Sequence, residues 1–168
     1  GLRVHHGQRI SVWRSPATLD RLSPVEGPLD VGRLQEALEA VVSRHRLLRS
    51  TFRADGDVVR QVVHPHGPLG VVIVEAEEGA GRATAIREAR EPFDLESGPL
   101  VRLRLVEETA GAERFLLLVL HHILADERSL GILWQELGEA YAGRLADTEP
   151  RLQYDDYVYW QGQRDTSE

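Results

Sequence analysis

Phe115-Leu116-Leu117-Leu118-Val119-Leu120-His121-His122-Ile123-Leu124-Ala125-Asp126-Glu127-Arg128-Ser129 is the stretch on which the reading of this 168-residue chain turns. Phe115–Leu120 is an unbroken apolar run, bulky enough for a strand covered on both faces. It stops at two titratable rings. Side chains alternate along a strand, so His121 and His122 cannot share one job. One ring should face the interior or a backing helix, and the other an open cleft at the strand end. Buried imidazoles need hydrogen-bonding partners, which makes this pair costly to build for packing alone. Asp126 stands where a helix begins and is a natural N-cap, with Ser129 in its first turn.

Working outward, Glu127–Gly143 carries Leu130, Leu133, Trp134, Leu137, Ala140 and Tyr141 on one helical face. Before the apolar run, Val101–Val106 alternates Val101, Leu103 and Leu105 with Arg102 and Arg104, which predicts a strand with one wet face. Ala83–Glu91 reads as a helix stopped by Pro92, and Val71–Glu75 as a short β-prone run. Asp55-Gly56-Asp57 between Leu48–Ala54 and Val58–Val63 predicts a hairpin. Asp30 caps a helix whose face carries Leu34, Ala37, Leu38, Val41, Val42 and His45. In residues 1–29, Pro16, Pro24 and Pro28 leave room for a short strand near Leu22–Glu26. Tyr154–Gln161 reads as a last short helix. Interleaved strands and helices predict an α/β or α+β class with a mixed sheet in a single domain.

Composition narrows the function classes. Hydrophobic residues make up 42% and charged residues 28%, as in soluble globular proteins. A net charge of −7 argues against a nucleic-acid partner, which calls for a basic face. No apolar run approaches the roughly 20 residues that cross a bilayer, so no membrane role is expected. The absence of cysteine removes disulfide and thiolate chemistry and points to a reducing, cytoplasmic compartment. All 20 basic residues are arginine, a pattern of coding bias rather than mechanism. With no methionine at Gly1, a processed start or a piece of a longer chain is expected.

A free imidazole titrates near pH 6.5 and can take, give or hold a proton at neutral pH. No serine stands in a nucleophile-elbow pattern, so direct transfer is simpler than a covalent intermediate. Zinc needs more ligands than two diverging histidines and one aspartate supply, and neither His64-Pro65-His66 nor His5-His6 has a third ligand at useful spacing. No metal is expected. The bland alternative is that both histidines are structural or surface residues.

His121-His122-Ile123-Leu124-Ala125-Asp126 resembles the His-His-x-x-x-Asp-Gly motif of condensation domains of nonribosomal peptide synthetases, within the chloramphenicol-acetyltransferase-like superfamily. Further segments resemble that family in the same order: Gly27-Pro28-Leu29-Asp30-Val31, Arg44-His45-Arg46-Leu47-Leu48-Arg49-Ser50-Thr51-Phe52, Pro92-Phe93-Asp94-Leu95 through Gly98-Pro99-Leu100, and Gln153-Tyr154-Asp155-Asp156-Tyr157 with Trp160-Gln161. The likeness covers about residues 27–161; before it, only Gln8–Trp13 is loosely similar, so 1–26 is a poorly matched opening segment. The resemblance implies the N-terminal lobe of a two-lobe fold. It also implies amide (or ester) formation between an acyl or peptidyl thioester and an aminoacyl acceptor, each on the phosphopantetheine arm of a carrier (thiolation) protein. No directly bound cofactor is implied.

By the same resemblance His122 orients or deprotonates the acceptor amine, His121 supports it, and Asp126 is structural and held by Arg49. The alternative for Arg49 is a solvated strand residue. Glu127 stands where the family has glycine, which marks a close approach or a positive φ. The chain also stops where the first lobe should finish. These departures keep three readings open: a lobe active only with its C-terminal partner, a degenerate module that docks a carrier protein or neighbouring synthetase domain, and a coenzyme A-dependent acyltransferase. An apolar face left for the second lobe would favour self-association.

Overall fold

The computed structural model describes residues 18–56, 58–65, 69–109 and 113–145. In chain order the elements are β1 (Thr18–Pro24), α1 (Val31–Arg44), a 3₁₀ turn (Arg46–Arg49), β2 (Ser50–Asp55), β3 (Val58–Val63), β4 (Val71–Ala76), α2 (Gly81–Ala89), β5 (Val101–Glu108), β6 (Arg114–His121) and α3 (Glu127–Tyr141). A four-stranded sheet runs β1-β6-β5-β4, and β2-β3 form a separate hairpin. The β4–β5 pair is parallel and the other pairs are antiparallel, so the sheet is mixed.

β6 lies inside this sheet, and that position explains its composition. Its residues pair on one side with β1, from Thr18–His121 to Pro24–Phe115, and on the other with β5, from Val101–Leu120 to Glu107–Arg114. Leu118 and Leu120 meet α1 and α3, where Leu38, Val41, Val42, Leu133 and Leu137 surround a small apolar gap. On the opposite face Phe115 meets α2. A side chain on Gly81 would put its Cβ 2.8 Å from both the Phe115 ring and a Glu108 carboxylate oxygen, so only glycine allows this approach. With both faces covered, Leu117, Val119 and Leu120 have almost no exposed surface. Burial of each such leucine is worth roughly 1.5–3 kcal/mol relative to exposure.

The two long helices begin and pack as their patterns predict. The Asp30 carboxylate accepts the Arg33 amide at 3.0 Å, and Leu34, Ala37, Leu38, Val41 and Val42 are the buried face of α1. Leu130, Leu133 and Leu137 are buried on α3, with Trp134, Ala140 and Tyr141 partly so. Polar contacts tie the pair. Glu136 accepts from Arg44 Nε at 3.1 Å and bonds the His45 ring, and the Asp30 amide donates to the Tyr141 hydroxyl at 3.0 Å.

Three expectations change. The first strand starts at Thr18 rather than Leu22, because pairing with β6 runs its whole length. Leu48 and Arg49 close a 3₁₀ turn before β2 instead of opening the strand. The arginine face of β5 is not a simple wet face. Arg104 pairs with Glu88 of α2 at 3.4 Å, and Arg102 lies 3.8 Å over the Phe93 ring while donating to the Glu91 and Pro92 carbonyls. The helix expected at Tyr154–Gln161, the Gln8–Trp13 segment, His5, His6 and His66 lie outside the described residues.

Candidate functional site

The end of β6 and the turn after it send two successive histidines into opposite environments. His121 is 5% exposed, and its amide donates to the Leu100 carbonyl at 3.0 Å. Its ring packs edge-on to Phe93, with centroids 6.1 Å apart. His122 is exposed, on the turn that leaves the strand. The two rings therefore part where the strand gives way to the turn, His121 as the last residue of β6 and His122 as the first of the turn.

That turn is held by His121 itself. Its carbonyl accepts the Leu124 amide at 2.9 Å, and its Nδ1 accepts the Ile123 amide at 3.1 Å. A backbone amide can only donate, so Nδ1 carries a lone pair and the neutral ring bears its proton on Nε2. Nε2 is buried and has no hydrogen-bond partner among the described residues. Burial, and then the neighbouring His122, push the His121 pKa below the usual histidine value. The fold thus favours the neutral ring. This contribution to stability is complete above the ordinary histidine pKa and is lost as pH falls through the lowered value.

Asp126 is exposed and caps α3: its Oδ1 accepts both the Ser129 amide and the Ser129 hydroxyl at 2.7 Å. Those bonds to Ser129 hold its carboxyl below the usual aspartate value. The charged cap is therefore present above the ordinary aspartate pKa and is lost as pH falls through the lowered one. Glu127 follows as the first residue of α3, exposed, where a negative charge suits the helix N-terminus. It makes no ion pair with His122. No described non-glycine residue has a positive φ, so Glu127 takes up a helical backbone that needs no glycine.

Arg49 does not hold Asp126. Its guanidinium donates to the carbonyls of His64 at 2.9 Å and Pro65 at 3.1 Å, with a longer contact to Ser43 at 3.5 Å. The 3₁₀ turn places Arg49 at the open end of the hairpin, where these carbonyls lie within its reach. Nor is Arg49 a fully solvated strand residue, since its Nε is buried, without a partner among the described residues. Arg49 pins the end of the β2–β3 hairpin instead.

Reading the sequence missed the surroundings of His121. The Phe93-Asp94-Leu95 loop reaches it because Phe93 and Leu95 are buried and the Leu95 carbonyl accepts the Phe52 amide at 2.7 Å. Asp94 closes that loop by accepting the Glu96 and Ser97 amides. The loop's apolar-polar alternation was a signal of burial but carried no address for it. Among the described residues no group of three or more His, Asp or Glu side chains is placed to share a metal ion.

An exposed histidine on a turn, backed by a buried one and followed by a capped helix, joins the ordered segments around it to one family. Residues 11–168 match the model of the Condensation domain family. The chain belongs to the condensation-domain family. The match reaches further toward the N-terminus than the segment comparison, across part of the opening 1–26. Chondramide synthase cmdD of Chondromyces crocatus is 37% identical over 155 residues, which cover 85% of this chain and 4% of that protein. Among solved structures, the X-domain in complex with OxyB from teicoplanin biosynthesis is similar with a TM-score of 0.81 and 31% identity, over 92% of this chain and 35% of that one. A structure showing condensation domain-mediated chain release from the enacyloxin polyketide synthase gives a TM-score of 0.68 at 32% identity, over 91% and 30% of the two chains. This condensation-domain chain thus spans about a third of the solved relatives and a few per cent of the synthase. Its fold is the mixed α/β lobe of the chloramphenicol-acetyltransferase-like type.

Proposed function

We propose that this chain is the histidine-bearing N-terminal lobe of a condensation domain that joins a carrier-bound acyl or peptidyl thioester to a carrier-bound aminoacyl acceptor. The observation that carries this reading is the exposure of His122 on a turn anchored by buried His121. In the reaction the acceptor nitrogen attacks the thioester carbonyl, the carbon–sulfur bond breaks, and the phosphopantetheine thiol leaves. His122 takes or holds the amine proton as the nitrogen–carbon bond forms. The substrates arrive on phosphopantetheine arms, and carrier proteins are the partners. A second lobe supplies the wall that aligns the two arms and excludes water, a contribution that the open face of one lobe lacks.

A second reading has specific support. The similar X-domain was solved in complex with another protein, OxyB, which favours a docking role for at least some lobes of this shape. In that case Glu127 marks a site released from catalysis. The helical backbone and outward exposure of Glu127, without an ion pair to His122, favour the catalytic reading.

The test supplies acyl- and aminoacyl-loaded carriers to this chain alone and to the chain joined to a second lobe. Amide formation is expected only from the joined form. Turnover by the single lobe would overturn the two-lobe requirement, and no turnover by either would favour the docking module.

A further inference from the structure

We infer that His121 is a positioning residue: its unprotonated Nδ1 accepts the Ile123 amide and thereby sets the turn that presents His122. The inference deepens the proposed function, on which its catalytic consequence rests.

The turn has no other device of this kind. It contains no glycine, and no described non-glycine residue adopts a positive φ. Two contacts to His121 close it, one to the carbonyl and one to the ring. The ring contact works in only one protonation state. A proton on Nδ1 would turn an acceptor into a donor facing the Ile123 N–H, and the bond would be lost. The same proton would leave a cation 5% exposed, with its Nε2–H already unpartnered.

The charged and titratable groups on the elements around the ring do not relieve that cost. His122 on the same turn would repel a second positive charge. Arg102 of β5 covers the neighbouring Phe93 ring with another cation. Asp94, in the loop that carries Phe93, points its Oδ1 at the Glu96 and Ser97 amides. Asp20 shares a sheet face with His121 through its pairing to Val119, but it is exposed to water, where its charge is screened. The Ile123 amide therefore selects the Nε2–H tautomer, while burial and the neighbouring His122 keep the ring neutral.

The experiment follows the Ile123 amide and the His121 ring nitrogens by NMR in the protein that carries this lobe. The nitrogen shifts of wild type should show the Nε2–H tautomer at neutral pH; an imidazolium or an Nδ1–H tautomer would overturn the inference without any substitution. Hydrogen exchange at Ile123, corrected for intrinsic pH dependence, should lose protection as acid titrates the ring. His121→Asn places a carboxamide oxygen near the Nδ1 position and should keep the protection while abolishing the acid step. His121→Leu should lose the protection at every pH. Wild-type protection in the Leu variant, or an unchanged acid step in the Asn variant, would contradict the inference. In the two-lobe protein, kcat should fall about 10²-fold in the Leu variant with KM little changed, and should recover in the Asn variant. Absence of condensation activity in wild type, with the Ile123 results as expected, would sink the proposed function and leave the His121 assignment standing.

Discussion

Two turns in this molecule redirect strands of similar length by opposite means. The β2–β3 hairpin reverses at Asp55–Val58 with Gly56 at φ 64°, and its flanking ion pair, Asp55 with Arg60, is more than half exposed on both sides. The turn after β6 has no glycine and instead uses the ring and carbonyl of a buried histidine. Backbone freedom makes the first turn, and a side-chain acceptor makes the second. A turn built from glycine tolerates its surroundings. A turn built on a buried imidazole depends on one protonation state, the one in which Nδ1 can accept the Ile123 amide.

The strongest way to break this comparison is to weaken what stands behind each turn. Leu120→Ala, just before the histidine turn, removes a side chain with no exposed surface and should cost about 2–5 kcal/mol in chemical denaturation. Arg53→Ala, the exposed counterpart before the hairpin turn, should stay within about 0.5 kcal/mol. Equal losses would show that the two turns rest on equally buried supports. Next in size, Gly56→Ala forces an L-residue to positive φ and should cost about 1–2 kcal/mol by the same denaturation measurement. The smallest change is expected at Glu127, the first residue of α3 and the position where the family motif has glycine. Glu127→Gly should lower stability by less than about 1 kcal/mol and leave the condensation rate of the two-lobe protein unchanged. A rise in rate would show that the glutamate obstructs the site.

The same contrast explains what could be read from the sequence. Asp55-Gly56 announces its turn locally, because the glycine and the alternation around it need no tertiary partner. The caps Asp30 and Asp126 and the buried run Phe115–Leu120 were legible for the same reason. The extent of β1 was not: Thr18-Leu19-Asp20-Arg21 becomes strand by pairing with β6, which its own residues do not encode. Arg49 was misassigned because a motif names residue types, while the 3₁₀ turn at Arg46–Arg49 decides which carbonyls the guanidinium reaches. That His121 and His122 meet different environments, one buried and one exposed, was legible from the pair's place at the end of an apolar run. The role of the His121 ring did not, because it depends on the placement of the Ile123 amide and on the Phe93 loop, which returns from earlier in the chain.

The central claim is that His122 is an exposed reacting group whose removal spares the fold. The most direct measurement is the rate of amide formation by the two-lobe protein with His122→Ala, taken together with its unfolding midpoint. A fall of about 10²–10⁴-fold in rate with an unchanged midpoint is predicted. A wild-type rate would contradict the account, and so would a rate loss matched by a collapse in stability.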